Sequence, residues 1–237
     1  MTPPASAAQT GSQLVLAIDT CGTSGSVALG RVGTDGVVIL GQKELAVRSY
    51  SAKLVTAVQE LLHEAEAQLS ELRAMVVVIG PGSFTGVRVG LSAVKGLAEP
   101  AGIPVVAVSR LEVLAAKAGT QSAALDAHRH EVFLRLSETG AEAHELLAGR
   151  DEMAPFGTPA GPIAVCDEAA EQLLAEAWPD ARLVNVEVPT AVDALKRAVS
   201  RIVPEEFEDL ALLDGNYLRR SDAEIFGEKA QEKQAQA

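Results

Sequence analysis

The chain has 237 residues and a formal net charge of −12. Hydrophobic residues make up 48% and aromatic residues only 3%, which is typical of a globular protein with an aliphatic core. Proteins that hold nucleic acid by themselves usually carry a basic face, so the charge argues against a direct RNA-binding module. Cys21 and Cys166 form no Cys-x-x-Cys pair, and neither a signal peptide nor a membrane-spanning run is recognised. We therefore expect a soluble, cytoplasmic protein.

Hydrophobic patterning predicts alternating strands and helices in the first half of the chain. Continuous apolar runs at 14–18 and 74–79 indicate strands buried on both faces, whereas 51–69 repeats its apolar residues at helical spacing. The predicted strands are 14–18, 26–31, 37–45, 74–79 and 103–108, and the predicted helices are 51–69, 85–99 and 110–118.

The second half of the chain carries fewer predicted elements. Strands are predicted at 124–126, 132–134 and 163–166, and helices at 168–178 and 192–203. The acidic stretch 138–152 is interpreted as a solvated connection. Residues 1–13 and 227–237 lack apolar periodicity and are predicted to be a disordered extension and a disordered tail.

Each half contains an aliphatic strand that ends in aspartate and folds back as a hairpin, at Asp19 and again at Asp126. A duplicated three-strand meander with crossover helices is the construction of actin-like ATPase folds. In such folds a hairpin turn from each half faces a cleft, where carboxylates position the phosphates and metal of a nucleotide. We therefore predict a first lobe over 14–118 and a second, degenerate lobe over 119–226.

The segment Gly80–Gly90 follows a predicted strand and opens a predicted helix. This arrangement presents backbone N–H groups and a helix dipole to an anion, although the spacing matches neither the dinucleotide-binding nor the Walker fingerprint. The other interpretation is a tight turn whose glycines allow close packing, with Gly86 and Gly90 on one helical face. The candidates for a vestigial phosphate loop are Asp19, Thr20, Gly82, Ser83, Thr85, Arg88 and Asp126.

Two further groups of polar residues have alternative interpretations. Asp19 could coordinate a metal–nucleotide, or it could cap backbone N–H groups in its own turn, which residue propensity favours. His128 and His130 would face one side of a strand, where two imidazoles could meet a zinc ion. Because zinc needs more ligands than these two, no metal site is predicted.

Gly80–Gly90 resembles the signature of the bacterial TsaB (YeaZ) family, subunits of tRNA threonylcarbamoyladenosine biosynthesis. Weaker matches lie in the family's order at 17–20, 103–109, 125–127, 131–133 and 217–219. The resemblance covers about residues 14–220. It implies an α/β, actin-like ATPase (ribonuclease H-like) fold with two related lobes, the second one reduced.

The resemblance also bears on catalysis. The related transferase subunit of that pathway carries a metal-binding His-x-x-x-His pair just after the equivalent of Val108, where this chain has Arg110 and Leu114. Two histidines four apart on a helix can chelate one metal, whereas arginine and leucine cannot. We therefore expect a non-catalytic scaffold subunit without metal or cofactor. It would pair with the metal-bearing transferase subunit, recruit a small ATPase and reach tRNA only through the complex.

The two helices 51–69 and 85–99 are the predicted contact with the transferase subunit or, in the isolated chain, with a second copy. The alternative function is a stand-alone ATP-dependent phosphotransferase or hydrolase that uses Asp19, Asp126 and the glycine loop. Weak nucleotide binding is compatible with either function. The predicted interface residues are Leu54, Val58, Leu61, Ala65, Val87, Gly90, Leu91 and Val94.

Overall fold

The computed structural model describes residues 12–46, 50–137 and 143–219. Two five-stranded sheets are present, each with one antiparallel half and one parallel half. The first has the order β3-β2-β1-β4-β5 and contains β1 (Gln13–Asp19), β2 (Gly25–Gly33), β3 (Gly36–Leu45), β4 (Ala74–Val78) and β5 (Val105–Val108). The second has the order β8-β7-β6-β9-β10 and contains β6 (Ser122–Asp126), β7 (Glu131–Leu136), β8 (His144–Gly149), β9 (Ile163–Val165) and β10 (Leu183–Asn185).

The two sheets repeat one topology. In each, a meander of three antiparallel strands is followed by two parallel strands added on the other side of the first strand. This repeat confirms the predicted actin-like fold of two related lobes. The second lobe has shorter parallel strands of three residues each, in line with the prediction that it is reduced.

Helices connect and cover the sheets. Helices α1 and α2 lie side by side against the first sheet, and α6 packs across all five of its strands. Because β4 is buried along its whole length, both faces of this sheet are covered. The helices are α1 (Tyr50–Glu64), α2 (Phe84–Ala101), α3 (Arg110–Ala118), α4 (Arg150–Met153), α5 (Glu168–Ala177) and α6 (Ala191–Ile202).

The last helix of each half packs on the sheet of the other half. Helix α6 follows the second sheet in the chain, yet Ala194 and Leu195 are buried in the core of the first sheet. Conversely, Leu111 and Leu114 of α3 pack with Phe133 of the second sheet. The two helices also contact each other, so they join the two lobes. The predicted division of the chain between residues 118 and 119 stays a prediction.

Three features of the second half and of α1 correct the predictions. The stretch 138–152 was interpreted as a solvated connection, but it includes the edge strand β8 and most of the short helix α4. Strand β10 was not predicted. Helix α1 ends at Glu64 rather than at residue 69, because Glu66 adopts a left-handed conformation with a φ of 52°.

The terminal predictions are largely untested. The extension predicted over 1–13, apart from residues 12 and 13, and the tail predicted over 227–237 lie outside the described residues. Within the part of the chain that the structure describes, no helix is both long and apolar enough to cross a membrane.

Candidate functional site

A cavity of about 650 Å³, the interlobe cleft, lies where turns from both lobes meet. The turn after β1, residues 21–23, and the glycine loop line one side. The turn after β6, residues 126–128, lines the other together with Asp167. Arg110 at the start of α3 also reaches this cavity. The cleft therefore has the position in which two hairpin turns of an actin-like fold face each other.

The glycines of the loop serve close packing against the turn after β1. The backbone N–H of Ser83 donates to the carbonyl oxygen of Cys21 at 2.9 Å, and Thr20 Oγ1 donates to the carbonyl oxygen of Gly86 at 2.6 Å. A Cβ on Gly82 or Gly86 would overlap the carbonyl oxygen of Cys21 or Thr20, respectively. Ser83 also caps α2, since its Oγ accepts from the N–H of Gly86 at 3.2 Å. These contacts agree with the interpretation of the loop as a tight turn whose glycines allow close packing.

Asp19 and Thr20 are buried and do not line the cleft. The carboxylate of Asp19 accepts a hydrogen bond from the N–H of Cys21 at 2.8 Å, which is the turn-capping interaction that propensity favours. Burial raises the pKa of Asp19, and the nearby charge of Arg110 opposes part of that rise. Asp19 therefore sits beneath the turn instead of facing a ligand.

Ser83 and Thr85 line the cleft, but Arg88, the predicted countercharge, does not. The Arg88 guanidinium carbon lies 5.2 Å from the centre of the Phe84 ring and 5.9 Å from that of Tyr217. These two rings stack at 4.8 Å, so Arg88 belongs to a cation–π cluster. Of the phosphate-loop candidates, the structure brings to the cleft Gly82, Ser83, Thr85 and Asp126, and leaves out Asp19, Thr20 and Arg88.

The acidic side chains of the opposite wall are engaged locally. Asp126 accepts from the N–H of His128 at 2.7 Å, and its other carboxylate oxygen lies 2.7 Å from His128 Nδ1. Asp167 accepts from the N–H groups of Asp126 and Ala170, at 3.1 and 2.7 Å, and so caps α5. Both carboxylates therefore already have hydrogen-bond partners within this chain.

His128 and His130 lie in a tight turn and not on a strand. Residues 128–130 all have a φ near +60°, so the argument that two positions on a strand face one zinc ion does not apply. No group of three or more His, Cys, Asp or Glu suited to a metal ion is found among the described residues.

Arg110 and Leu114 occupy different environments. Leu114 is fully buried between the lobes, whereas the Arg110 side chain reaches the cleft beside Gly22. A Cβ on Gly22 would lie 2.6 Å from a terminal nitrogen of that guanidinium, so this glycine leaves room for it. Arg110 Nε is buried without a hydrogen-bond partner among the described residues.

Several cleft residues were missed from the sequence, Tyr50, Cys166, Asp167 and Asn216 among them. Tyr50 donates its hydroxyl to the carbonyl oxygen of Gly22 at 3.0 Å. Burial raises the pKa of the Cys166 thiol to about 11, with Arg110 opposing part of the rise. These residues come from separate segments, and no local motif marks them. The aromatic-basic run at 217–219 could have indicated part of the cleft from the sequence, because Tyr217, Leu218 and Arg219 all line it.

The predicted interface residues need correction. Ala65 is half-buried, and the other seven are buried within this chain, where they pack α1 and α2 onto the first sheet. The apolar stripes of these helices therefore face their own lobe. The residues concerned are Leu54, Val58, Leu61, Val87, Gly90, Leu91 and Val94.

Comparisons with known proteins agree with this architecture. The family described as TsaD, tRNA N6-adenosine threonylcarbamoyltransferase, matches residues 38–172. Two TsaB proteins, each described as a tRNA threonylcarbamoyladenosine biosynthesis protein, are similar to this chain. The protein of Escherichia coli is 36% identical to it and that of Bacillus subtilis 38%. The matches span 125 and 126 residues, 50% and 52% of this chain and 52% and 54% of theirs. This chain thus spans about half the length of the curated relatives it matches.

A solved structure, YeaZ from Pseudomonas aeruginosa, superposes with a TM-score of 0.69 at 28% identity, covering 87% of this chain and 100% of that one. The TsaD family match extends over more than half of the chain, and the named relatives within it are TsaB proteins. The chain therefore belongs to the TsaD family, in its TsaB (YeaZ) group.

Proposed function

We propose that the chain is a non-catalytic scaffold subunit for the formation of threonylcarbamoyladenosine next to the anticodon of tRNA. Its similarity to proteins named for that biosynthesis supports the pathway. In this proposal the group transfer takes place on a metal-bearing partner of the transferase type, and a small ATPase joins the pair. The net charge of −12 fits a subunit that meets tRNA only through the complex.

The proposed non-catalytic role rests on the residue types at two positions of α3, Arg110 and Leu114. The family resemblance implies that histidines at these positions hold the metal in the related transferase. Here Leu114 is fully buried in apolar packing, and Arg110 presents a guanidinium, which has donors but no lone pair for a metal at neutral pH. This helix face supports lobe packing in place of metal chemistry.

The surface that we propose for the transferase subunit is the outer side of α1 and α2. Val55 is 45% exposed, and a Cβ on Gly96 would meet nothing within 4 Å. Small and apolar residues allow two helices of a partner to approach closely and complete a four-helix contact. We call this the α1–α2 surface; it consists of Val55, Val89, Ala93, Gly96 and Leu97. A second copy of the chain would compete for it.

The alternative, a stand-alone ATP-dependent phosphotransferase or hydrolase, has less support from the geometry. It needs Asp19 and Asp126 as ligands toward a metal–nucleotide, and both carboxylates are engaged within their own turns. The loop N–H groups at Ser83 and Gly86 are likewise used in packing and capping. Calorimetry with Mg·ATP and a phosphate-release assay on the purified chain would reveal such an activity.

Reconstitution tests the proposed function. The purified chain is combined with the transferase-type subunit that carries His-x-x-x-His, the small ATPase, unmodified tRNA and the substrates of threonylcarbamoyl transfer. We expect modified adenosine only when this chain is present, and none from this chain alone. Full modification without the chain, or ATP turnover by the isolated chain, would contradict the proposal.

A further inference from the structure

A second cavity, of about 780 Å³, lies beside the edge strand β8. It is lined by Arg129, Glu131, residues 145–147 of β8 and residues 217–219. Only residues 217–219 are shared with the interlobe cleft, so this cavity is a separate feature of the second lobe. We call it the β8 groove.

The described chain ends in the wall of this groove, and two contacts fix its direction there. Asn216 Nδ2 donates to the carboxylate of Glu145 at 2.6 Å, near the start of β8. Three residues later, Arg219 pairs with Glu131, which lies opposite Gly149 at the end of β8. This stretch therefore runs along β8 in the direction of that strand, and the segment that follows it begins beside the last residue of β8.

The outer edge of β8 is uncovered in the part of the chain that the structure describes. Strand β8 pairs with β7 on one side, and no backbone hydrogen bond reaches the other side of residues 144–148 from a described residue. Unpaired N–H and C=O groups along such an edge are a template for a further strand. At the β5 edge of the first sheet, by contrast, the N–H of Glu208 donates to the carbonyl oxygen of Val105 at 2.8 Å. A later segment of this chain thus already covers one sheet edge.

The residues after Arg219 suit the β8 edge in turn chemistry and in length. Ser221 and Asp222 are residue types that favour a turn. A reversal there sends the chain back along β8 in the antiparallel direction and places residues 223–226 opposite residues 146–149. These four residues span about 13 Å as a strand, which is within the length of the six-residue β8.

The large apolar side chains of this segment also match the groove. After residue 219, Ile225 and Phe226 are the only large apolar residues of the sequence. In the antiparallel register Ile225 lies opposite Leu147 and Phe226 opposite Leu146. These consecutive leucines point to opposite faces of the sheet, where they pack against two different hydrophobic clusters. Both are only partly buried, so each has apolar surface left for one residue of the segment.

We propose that the β8 groove binds residues 220–226 of this same chain, which turn back and pair with β8 as a sixth, antiparallel strand of the second sheet. Main-chain hydrogen bonds hold the segment, and Ile225 and Phe226 fix its register against Leu147 and Leu146. Because the segment is joined to the chain at the groove, its effective concentration there exceeds that of a second copy or a free peptide. This inference goes beyond the proposed function, which gives these residues no role.

Amide hydrogen exchange of the full chain, followed residue by residue by NMR, tests the proposal. The readout is the set of amides in 144–148 that point away from β7, which a further strand would protect. We expect protection in the wild type and exchange roughly tenfold faster or more in the double variant Ile225→Asp/Phe226→Asp. The control Ala230→Asp/Ala235→Asp adds the same charge beyond the segment and should exchange like the wild type.

One more variant and a change of concentration complete the test. Ile225→Val/Phe226→Leu keeps two apolar side chains and should keep the protection. All substituted positions follow residue 219, outside both described sheets, so the variants should fold, which circular dichroism checks. Unprotected outward amides in the wild type, or equal exchange in the two aspartate variants, would overturn the proposal. Protection that is lost on roughly tenfold dilution would also overturn it, because a second copy would then be the occupant.

Discussion

Gly86 lies against the carbonyl oxygen of Thr20, so the first turn of α2 and the turn after β1 meet where no side chain fits. The hydroxyl of Thr20 donates to the carbonyl oxygen of Gly86 across the same contact, at 2.6 Å. The glycine loop thus fixes α2 onto the end of β1. Its glycines are explained by this approach, without any phosphate.

Gly86→Ala should lower the free energy of unfolding by about 1–3 kcal/mol, because the added methyl group displaces a backbone that is itself hydrogen-bonded. The matched control is Gly96→Ala in the same helix, where the new Cβ meets open space. That change should stabilise the chain by about 0.5–1 kcal/mol, as alanine is the better helix former. Urea denaturation measures both; equal effects of the two substitutions would contradict the packing account.

Asp19→Asn should change how stability depends on pH. The pKa of Asp19 in the folded chain is raised above its usual 3.8, so the folded state binds more protons than the unfolded state in the window above 3.8. The wild type therefore loses stability relative to Asp19→Asn as the pH rises through that window. Asparagine keeps the oxygen that accepts from the N–H of Cys21. Urea denaturation from pH 4 to 8 measures the free energy of unfolding of both proteins. A wild type that gains stability relative to Asp19→Asn as the pH rises would contradict the raised pKa of Asp19.

Glu145 should be a main contributor to the contact between the lobes. Its carboxylate accepts from Ser109 Oγ at 2.7 Å and from Asn216 Nδ2 at 2.6 Å, and it pairs with Arg135 at 2.8 Å. The side chain is only 11% exposed, so Glu145→Ala should cost about 3 kcal/mol. Glu176→Ala, on the exposed side of α5, is the control and should change stability by less than about 0.5 kcal/mol. Similar losses from both would contradict the assignment.

Cys166 should be a slow nucleophile whose reactivity reports on Arg110. With a thiol pKa of about 11, alkylation by iodoacetamide at pH 8 is limited by the small thiolate fraction. Because Arg110 opposes part of the pKa rise, Arg110→Gln should slow the reaction further, while Arg31→Gln, on the exposed side of β2 outside the cleft, should not. Mass spectrometry of the alkylated peptide follows the rate. Faster alkylation of Arg110→Gln than of the wild type would count against this electrostatic link.

Much of the fold could be predicted because its strongest signals are local. Apolar runs identify the central strands β1 and β4, and Ser109 and Gly119 bracket α3, whose predicted bounds match the structure. The edge strand β8 was missed because most of its side chains are only partly buried and its segment is acidic. An exposed strand of this kind does not show the continuous apolar run by which central strands are recognised.

The cleft and the partner surface depend on tertiary packing. The apolar stripes of α1 and α2 were predicted to contact a partner, but Leu54 and Leu91 are buried against their own sheet. Periodicity identifies an apolar face without saying what covers it. Arg110 and Asp167 come together only because α3 packs on the second sheet, which is a relationship that spacing along the chain does not encode.

The central claim is that this chain pairs with a metal-bearing transferase subunit through the α1–α2 surface. Its direct test is co-purification of that subunit with tagged wild-type chain, Gly96→Glu and Gly161→Glu. Both glycines have open space at the Cβ position, so both variants should fold, but only Gly96 lies on the proposed surface. We predict that the wild type and Gly161→Glu retain the transferase subunit and that Gly96→Glu loses it. Retention by Gly96→Glu at the wild-type level, or no capture by the wild type, would contradict the account.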